Sequence, residues 1–343
     1  MGHSPGDSFR KGGKEMMKRA RKLGFSFLSF AVIFFFVADQ AGAAKRLTMG
    51  SWKKGSGWHV YSATMANIVN NANLGFQIDA LSKGGGVGNP INVGTGKYNM
   101  ALTFSVAASW GYQGKVAYKR AYKNLRGLIG GLDQYYLGIV TTNPKVSSIN
   151  DLKKVKVNYV TVPRGGLGQW ATRAMLGAHG ITYADIKKMG GSVTHTGFGA
   201  IKSRMKDGQA DMLSHTVNAG HPALTSIAVQ KKLKFLGIEE QYRDKLLGIG
   251  FLKAILPANT FPGQKKPLKT FGFTTAVIAS TSMDNGTAYK IVKALLDNLS
   301  DLRAGHKGLR NFDPAKTGWQ ESQMGAPAHP GAARYFKEKG WSK

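Results

Sequence analysis

The segment FQIDALSKGGGVGNPINV, residues 76–93, decides how the rest of the chain is interpreted. Its first part, Phe76–Leu81, predicts a β-strand, which the glycine-rich run at 82–86 ends. Asn89–Val93 then predicts a short helix, because a glycine-rich stretch follows it. With a further predicted strand at Met100–Phe104, the order of strand, glycine loop, helix and strand is typical of an α/β fold.

The same order recurs along the chain. A predicted strand at Arg46–Gly50 leads into a loop rich in glycine and serine at 50–57. Another at Val155–Val162 leads through residues 163–166 into a predicted helix at Gln169–His179. This rhythm predicts an α/β protein whose mostly parallel sheets are flanked by helices.

No linker rich in proline, serine or charge divides the chain, so we expect two lobes joined by short crossovers. The expected boundaries are 44–140 for the first part of lobe 1, 141–276 for lobe 2, and 277–343 for the return segment and C-terminal helices of lobe 1.

Residues 1–43 have the features of an export signal. A cationic cluster precedes the apolar run Leu23–Ala38, and Ala41-Gly42-Ala43 offers small residues at a cleavage site. The run is shorter than the ~20 residues that a transmembrane helix needs. We therefore expect cleavage and a periplasmic mature protein, with an uncleaved membrane anchor as the alternative. A start at Met16 or Met17 would give the signal a more usual length.

The charge balance is strongly positive, with 48 Lys and Arg against 18 Asp and Glu and a formal charge of +30. Residues 1–43 hold seven of the basic and three of the acidic residues, so +26 remains after cleavage. The remaining cations recur as scattered pairs without a nucleic-acid-binding motif, and the chain is predicted to be exported. We therefore expect no nucleic-acid partner. Because the chain has no cysteine, disulfides, Cys-ligated zinc, iron–sulfur clusters and a thiol nucleophile are excluded.

Motifs for cofactors and catalysis are absent from the sequence. The glycine run at 84–88 ends in Asn89, where a dinucleotide-binding fingerprint has glycine, and no acidic residue follows about 20 positions later. The histidines lack the spacing of metal ligands, and no Gly-x-Ser-x-Gly elbow is present. The sequence therefore predicts no cofactor, no metal site and no enzymatic activity.

The junctions of strand, glycine loop and helix are suited to binding an anion. They expose backbone N–H groups at the positive end of a helix dipole, and their glycines allow close approach of a ligand. Ligands of open α/β sheets bind at the carboxyl ends of strands, so two such loops would face each other across a cleft. Arg164 follows Pro163 at the end of a predicted strand, where its guanidinium would meet a carboxylate. An exposed loop arginine is the alternative.

Aromatic and histidine residues near the loops are further candidates. His215 and His221 flank residues 218–220 and would converge in a polar cleft, although structural histidines are the default. The aromatic residues would pack on apolar parts of a ligand or serve in ordinary core packing. These aromatic residues are Trp52, Trp58, Phe104 and Trp170.

Six segments of residues 46–339 resemble, in order, the TAXI family (TRAP-associated extracytoplasmic immunogenic proteins). The last one, HPGAARY at 329–335, is similar to the family's C-terminal signature, and FPGQ at 261–264 is similar to its Tyr-Pro-Gly-Gln turn. The other four are Leu47–Tyr61, Leu81–Asn89, Ala101–Ser105, and Asp207–Asp211 followed by Ala219–Ala223.

The resemblance implies a two-lobed periplasmic binding protein of the type II-like class, with a ligand cleft between the lobes. Such a receptor closes on a small organic anion or amino acid and delivers it to the membrane subunits of a TRAP transporter. Phe104 departs from the family's usual Gln, and Val106 from a common acidic residue. We therefore expect a carboxylate with an apolar or aromatic part, or a glutamate-like amino acid, bound by a monomer. A periplasmic sensor that reports to a membrane signalling partner, an enzyme on the same scaffold and an adhesin for anionic surfaces are the alternatives.

Loop position and resemblance together define the expected ligand-binding residues. They are Ser51, Trp52, Ser56, Trp58, Tyr61, Ser82, Gly85, Gly86, Asn89, Phe104, Ser105, Arg164, Gly165, Gly166, Gln169, Trp170, His215, Asn218 and His221.

Overall fold

The computed structural model describes Met1 and residues 45–342. The predicted export signal, apart from Met1, lies outside the described residues. Within residues 45–342, no helix combines the length and the apolar character needed to cross a bilayer.

Eleven strands in the described part of the chain form a mixed sheet in the order β2-β1-β3-β11-β5-β8-β6-β7, with β4 and β10 also paired to β11 and β9 paired to β5. Their bounds are β1 Lys45–Ser51, β2 Phe76–Gly84, β3 Met100–Phe104, β4 Leu125–Ile129, β5 Gln134–Thr141, β6 Asn158–Thr161, β7 Ser192–His195, β8 Met212–Val217, β9 Lys234–Phe235, β10 Leu252–Leu256 and β11 Leu268–Ser280.

Twelve α-helices connect or follow these strands in residues 45–342. They are α1 Gly57–Asn71, α2 Gly88–Gly94, α3 Ser105–Gln113, α4 Leu167–Ala178, α5 Tyr183–Lys188, α6 Phe198–Lys206, α7 Pro222–Gln230, α8 Glu240–Leu247, α9 Asn285–Asp297, α10 Leu299–Ala304, α11 Glu321–Met324 and α12 Pro330–Glu338. Short 3₁₀ segments lie at Ile149–Lys153 and Lys307–Leu309, and a π-helical turn lies at Pro314–Gly318.

One long strand, β11, joins the two halves of this sheet. Its residues 272–274 pair with β5, whereas residues 275–279 pair with β3. Lobe 1 is the part built on β1–β4 and the second half of β11. Lobe 2 is the part built on β5–β10 and the first half of β11. The exchange of partner falls between residues 274 and 275, and the other crossing is the connection 130–133 between β4 and β5. The boundaries expected from the sequence stay a prediction.

The direction of the strands follows from this topology. β1 pairs in parallel with β3, and β6 pairs in parallel with β7 and β8, as the recurring order of strand, loop and helix predicts. Antiparallel pairs concentrate at β5 and β11, because β11 returns the chain from lobe 2 to lobe 1. The sheet of each lobe is thus α/β in character, and the returning strand lies between β3 and β4 in lobe 1 and between β5 and β10 in lobe 2.

Apolar residues alternate along the strands and give each lobe a core on both faces of its sheet. In lobe 1, Leu102 and Val277 pack in the core that contains α1 and α9. Their neighbours Ala101 and Ile278 pack in the opposite core, with Val93 of α2. Lobe 2 has two corresponding cores. A buried face on each side of the sheet is the arrangement that helices on both faces produce.

Helix α3 follows β3 of lobe 1 and packs into the core of lobe 2. Val106 and Trp110 are fully buried there, beside Phe251. The indole N–H of Trp110 donates to the carbonyl of Ile249. The two lobes therefore share side-chain packing as well as a strand.

A buried carboxyl group lies in the crossing connection. Asp133 Oδ2 accepts a hydrogen bond of 2.9 Å from the Tyr61 hydroxyl of α1. Its other oxygen, Oδ1, is buried and makes no hydrogen bond of good geometry among the described residues, although Thr275 lies beside the carboxyl group. Nearby, Trp58 Nε1 donates to Thr275 Oγ1 at 3.1 Å, at the point where β11 changes partner. Helix α1 is thus hydrogen-bonded to both connections between the lobes.

Replacing this carboxyl group should change the pH dependence of stability. Burial raises the pKa of Asp133 to about 6, whereas the pKa of an unfolded aspartate is about 3.9. The unfolded chain therefore ionises first, and the native state loses stability as the pH rises from about 4 to about 6. Above pH 7, we expect Asp133→Asn to raise the free energy of unfolding by up to about 3 kcal/mol relative to the unmodified protein. At pH 4 we expect little difference between the two proteins from this cause.

Urea denaturation of both proteins at pH 4 and pH 8 measures this difference. Asp301→Asn, which changes an exposed carboxyl group, is the control. An equal stability difference at the two pH values would show that Asp133 does not titrate as described.

Candidate ligand site

In lobe 1, two aromatic rings lie directly on the glycine loop between β2 and α2. A Cβ atom added to Gly85 would lie 2.4 Å from the Trp52 ring, and one added to Gly86 would lie 2.4 Å from the Phe104 ring. Gly85 also has a φ of +112°, which favours glycine. The loop backbone and the two rings are therefore in close contact. The Trp52 side chain remains 44% exposed, so lobe 1 presents an aromatic surface to solvent.

Phe104 is the centre of an aromatic cluster at the crossing of the lobes. Its ring centroid lies 4.5 Å from that of Trp58, 5.1 Å from that of Tyr135 and 4.9 Å from that of Phe273. Tyr135 and Phe273 come from β5 and β11, and their rings stack. Phe104 thus makes apolar contacts in both lobes.

Asn89 holds the glycine loop against the strands. Its side chain is fully buried, and Nδ2 donates to the carbonyls of Ser51 and Leu102, at 2.9 and 2.6 Å. A Cβ added to Gly84 would lie only 1.7 Å from Asn89 Oδ1, so the loop passes tightly over this amide. The Asn89 side chain therefore joins the ends of β1 and β3 to the loop, and its ligand-binding role stays a prediction.

The polar side chains of lobe 1 that were expected to bind a ligand have partners within the protein. Ser51 Oγ donates to the carbonyl of Leu81, and Ser105 Oγ accepts from the backbone N–H of Thr274. Ser56 caps α1, Tyr61 donates to Asp133, and Ser82 Oγ lies 3.1 Å from His59 Nδ1. These contacts place the side chains at the edge of the loops and fix their conformations.

In lobe 2, a cavity of about 280 Å³ opens beside the start of α4. Arg164, Gly165, Gln169 and Trp170, which the sequence predicts as ligand residues, line it together. Gly166 is the N-cap of α4 and has no side chain to cap the helix. The structure thus brings the residues predicted on this loop and helix into one site.

Three further residues line the same cavity: Arg173, Tyr183 and His195. Arg173 lies one helical turn after Gln169 and Trp170, so helical spacing would have identified it. The guanidinium of Arg173 lies 5.2 Å from the centroid of the Trp170 ring. Tyr183 begins α5 and His195 ends β7, and only the tertiary structure brings them to α4.

The Tyr183 hydroxyl is a hydrogen-bonding group inside this cavity. Burial raises the pKa of Tyr183 to about 12, although Gln169, Arg173 and Arg164 act in the opposite direction. The hydroxyl therefore keeps its proton at neutral pH. It is buried and has no partner of good geometry in residues 45–342.

His215 and His221 converge next to this cavity. Their ring centroids are 5.4 Å apart, and both contact Phe198 of α6. Burial and then the nearby His221 lower the pKa of His215 to about 3, and burial also lowers the pKa of His221. Both imidazoles are therefore neutral at physiological pH. Their Nδ1 atoms are buried without partners in the described chain.

The expected residues fall into two sets, one in each lobe. In lobe 2, the His215 ring lies against Gly168 of α4, next to the cavity residue Gln169. A Cβ atom added to Gly168 would lie 2.3 Å from His215 Nδ1. Asn218 accepts a backbone hydrogen bond from the N–H of His221. No hydrogen bond, ion pair or ring contact among residues 45–342 connects the lobe 1 set directly to the lobe 2 set. In the same residues, no three metal-ligating side chains converge.

Removing the Asn89 amide should destabilise the protein. Asn89→Ala leaves the buried carbonyls of Ser51 and Leu102 without their donor, which we expect to cost about 2–3 kcal/mol of unfolding free energy. Asn92→Ala in α2 is the matched control, because the Asn92 side chain makes no hydrogen bond to a described residue. Urea denaturation measures both. Equal midpoints for the two variants would contradict this role.

Several solved structures of low sequence identity are similar to this chain. XAC2383 from Xanthomonas citri, in a structure bound to ATP, has 11% identity and a TM-score of 0.50, over 86% of this chain and 95% of that chain. A TctC solute-binding protein from Polaromonas has 13% identity and a TM-score of 0.48, over 77% and 88%. The alkanesulfonate-binding protein SsuA from Xanthomonas axonopodis pv. citri, bound to MOPS, has 13% identity and a TM-score of 0.41, over 80% and 82%. The α/β fold of type II periplasmic binding proteins, expected from the sequence, is confirmed.

A family profile matches almost the whole described chain and establishes its family. The sequence profile of the NMT1-like family matches residues 49–340, which include both lobes and both sets of candidate residues. The narrower resemblance to TAXI receptors stays a prediction. The chain belongs to the NMT1-like family.

Proposed function

We propose that this chain is the extracytoplasmic solute-binding protein of a transporter and that it captures a small organic anion. The observation that carries the proposal is the cavity beside α4, where Arg164 and Arg173 stand without an acidic residue in the lining. A guanidinium donates two parallel hydrogen bonds to a carboxylate and is the side chain best suited to bind one. The uncapped start of α4 adds the positive end of a helix dipole.

The aromatic residues support an apolar part in the ligand. Trp170 lines the cavity of lobe 2, and Trp52 stands exposed on the glycine loop of lobe 1. Small-molecule sites combine such aromatic walls with a few polar groups that orient the ligand. We therefore favour a carboxylate with an aromatic or apolar part over a small polar amino acid.

Closure of the lobes would bring the two sets of residues onto one ligand. The lobes are joined at residues 130–133 and 274–275, where few backbone torsions separate them. A ligand that contacts both lobes stabilises the closed state by its additional contacts there. We propose that the closed form is the one that membrane subunits recognise, and that these subunits belong to a TRAP transporter.

A periplasmic sensor that reports to a membrane signalling partner is the second candidate, because the same fold and closure would serve it. Genes for TRAP membrane subunits beside the gene for this chain, and copurification of the ligand-loaded protein with those subunits, favour transport. Copurification with a membrane kinase favours the sensor. In either case the chain binds its ligand without a chemical step.

A thermal-shift screen of organic carboxylates should identify ligands. A ligand at 100 times its Kd adds about 2.7 kcal/mol of stability, which raises the melting midpoint of a protein of this size by about 3–6 °C. Cationic and neutral analogues of the same size should give no shift. Stabilisation by cations or neutral solutes alone would contradict the proposal.

Arg164→Ala should weaken binding of any carboxylate that the screen finds. Loss of a hydrogen bond to a charged group costs about 1.5–3 kcal/mol, or more than about tenfold in Kd. Arg310→Ala removes an exposed arginine from lobe 1 and controls for the change in charge. Calorimetry measures both variants. An Arg164→Ala affinity within about twofold of the Arg310→Ala affinity would remove Arg164 from the site.

A further inference from the structure

The cavity beside α4 belongs entirely to lobe 2. Its lining residues lie between positions 164 and 195 and come from the loop after β6, from α4, from α5 and from the end of β7. None of them lies at the crossings of the lobes. The lining of the cavity is therefore complete within lobe 2.

Two guanidinium groups stand at the mouth of this cavity. Arg164 and Arg173 are exposed, and within residues 45–342 neither has a hydrogen bond or ion pair to a carboxylate. The nearest acidic residue of the sequence to Tyr183 is Asp185, whose carboxylate accepts hydrogen bonds from Thr182 at the start of α5. The positive charge of the mouth is therefore not neutralised by the protein. One acidic group would neutralise half of it, and two would neutralise all of it.

The interior of the cavity offers one flat surface and one buried donor. The Trp170 ring provides the surface, with the Arg173 guanidinium beside it. The Tyr183 hydroxyl is buried beside Gln169 and makes no hydrogen bond of good geometry in the described chain, which is costly unless a ligand accepts a hydrogen bond from it. A volume of about 280 Å³ is near the lower end of the range for ligand pockets, about 300–1,000 Å³. Such a volume suits a single ring with two acidic groups.

We propose that the lobe 2 cavity binds both acidic groups of a flat organic dianion, with Arg164 and Arg173 on the acidic groups, the Tyr183 hydroxyl donating to one of them and the ring on Trp170. This inference rests on the proposed function and names the ligand class for the same site. Lobe 2 then holds the charge of the ligand, and the exposed Trp52 of lobe 1 covers its apolar part after closure. Arg173 and Tyr183 thereby determine specificity, and the sequence motifs name neither.

Calorimetry with three probes separates the contribution of the second acidic group from that of the aromatic ring. The probes are terephthalate, an aromatic dianion; benzoate, its monoanion; and glutarate, an aliphatic dianion. The mature chain, residues 44–343, is titrated with each. We expect terephthalate to bind at least about tenfold more tightly than either of the others, because only it uses both guanidiniums and the ring.

The variants assign this preference to residues. Arg173→Ala should lose about tenfold or more for terephthalate and less than about threefold for benzoate, and Arg173→Gln should behave alike if the first variant folds poorly. Tyr183→Phe should also weaken terephthalate binding, since it removes the hydroxyl and keeps the ring. Lys187→Ala on α5 and Tyr112→Phe on α3, outside the cavity, are the matched controls and should stay within about twofold.

Two results would overturn the inference. One is a wild-type protein that binds benzoate or glutarate as tightly as terephthalate, or does not bind terephthalate. The other is Arg173→Ala binding of terephthalate within about twofold of the Lys187→Ala control. If other carboxylates still stabilise the protein and depend on Arg164, only the dianion inference fails. If no carboxylate of the wider screen binds at all, the proposed function fails with it.

Discussion

The shared strand β11 is the constraint on which the arrangement of this protein depends. Each lobe needs its half of β11 to complete its sheet, and the two halves form one continuous strand, so the lobes are joined where β11 changes partner. The backbone passes between the lobes only at the few residues where β11 changes partner and at the connection 130–133, within the described residues. The aromatic cluster around Phe104 and the buried Asp133 lie at this joint, so packing and polar contacts both restrict its geometry.

The two lobes contribute different chemistry to the candidate site. In lobe 1, Asn89 fixes the glycine loop from below, and the rings of Trp52 and Phe104 lie on the loop. Most polar side chains there are used inside the protein. In lobe 2, the cations around the start of α4 have no such internal partners, and a tyrosine hydroxyl lies buried among them. Lobe 1 therefore offers an aromatic surface of defined shape, and lobe 2 offers positive charge.

Local pattern predicted individual elements such as β2 and α2, but not the contacts between distant ones. The segment at 76–93 predicts a strand, a glycine loop and a helix, and the structure has β2 and α2 there. The convergence of His215 and His221 also follows from a short spacing. Tyr183 and His195 were missed, because α5 and β7 reach the cavity only through the pairing of β6 with β7. Trp58 and Tyr61 were expected near a ligand, and their partners Thr275 and Asp133 are distant in sequence.

The lining of the lobe 2 cavity has a consequence for how such proteins diversify. All of its side chains come from one uninterrupted stretch of about 30 residues that contains neither crossing of the lobes. A single genetic exchange of that stretch between relatives would transfer the whole set of contacts and leave the joint intact. The cavity lining can then change in one event, while the shared strand β11 and the connection 130–133 are inherited unchanged.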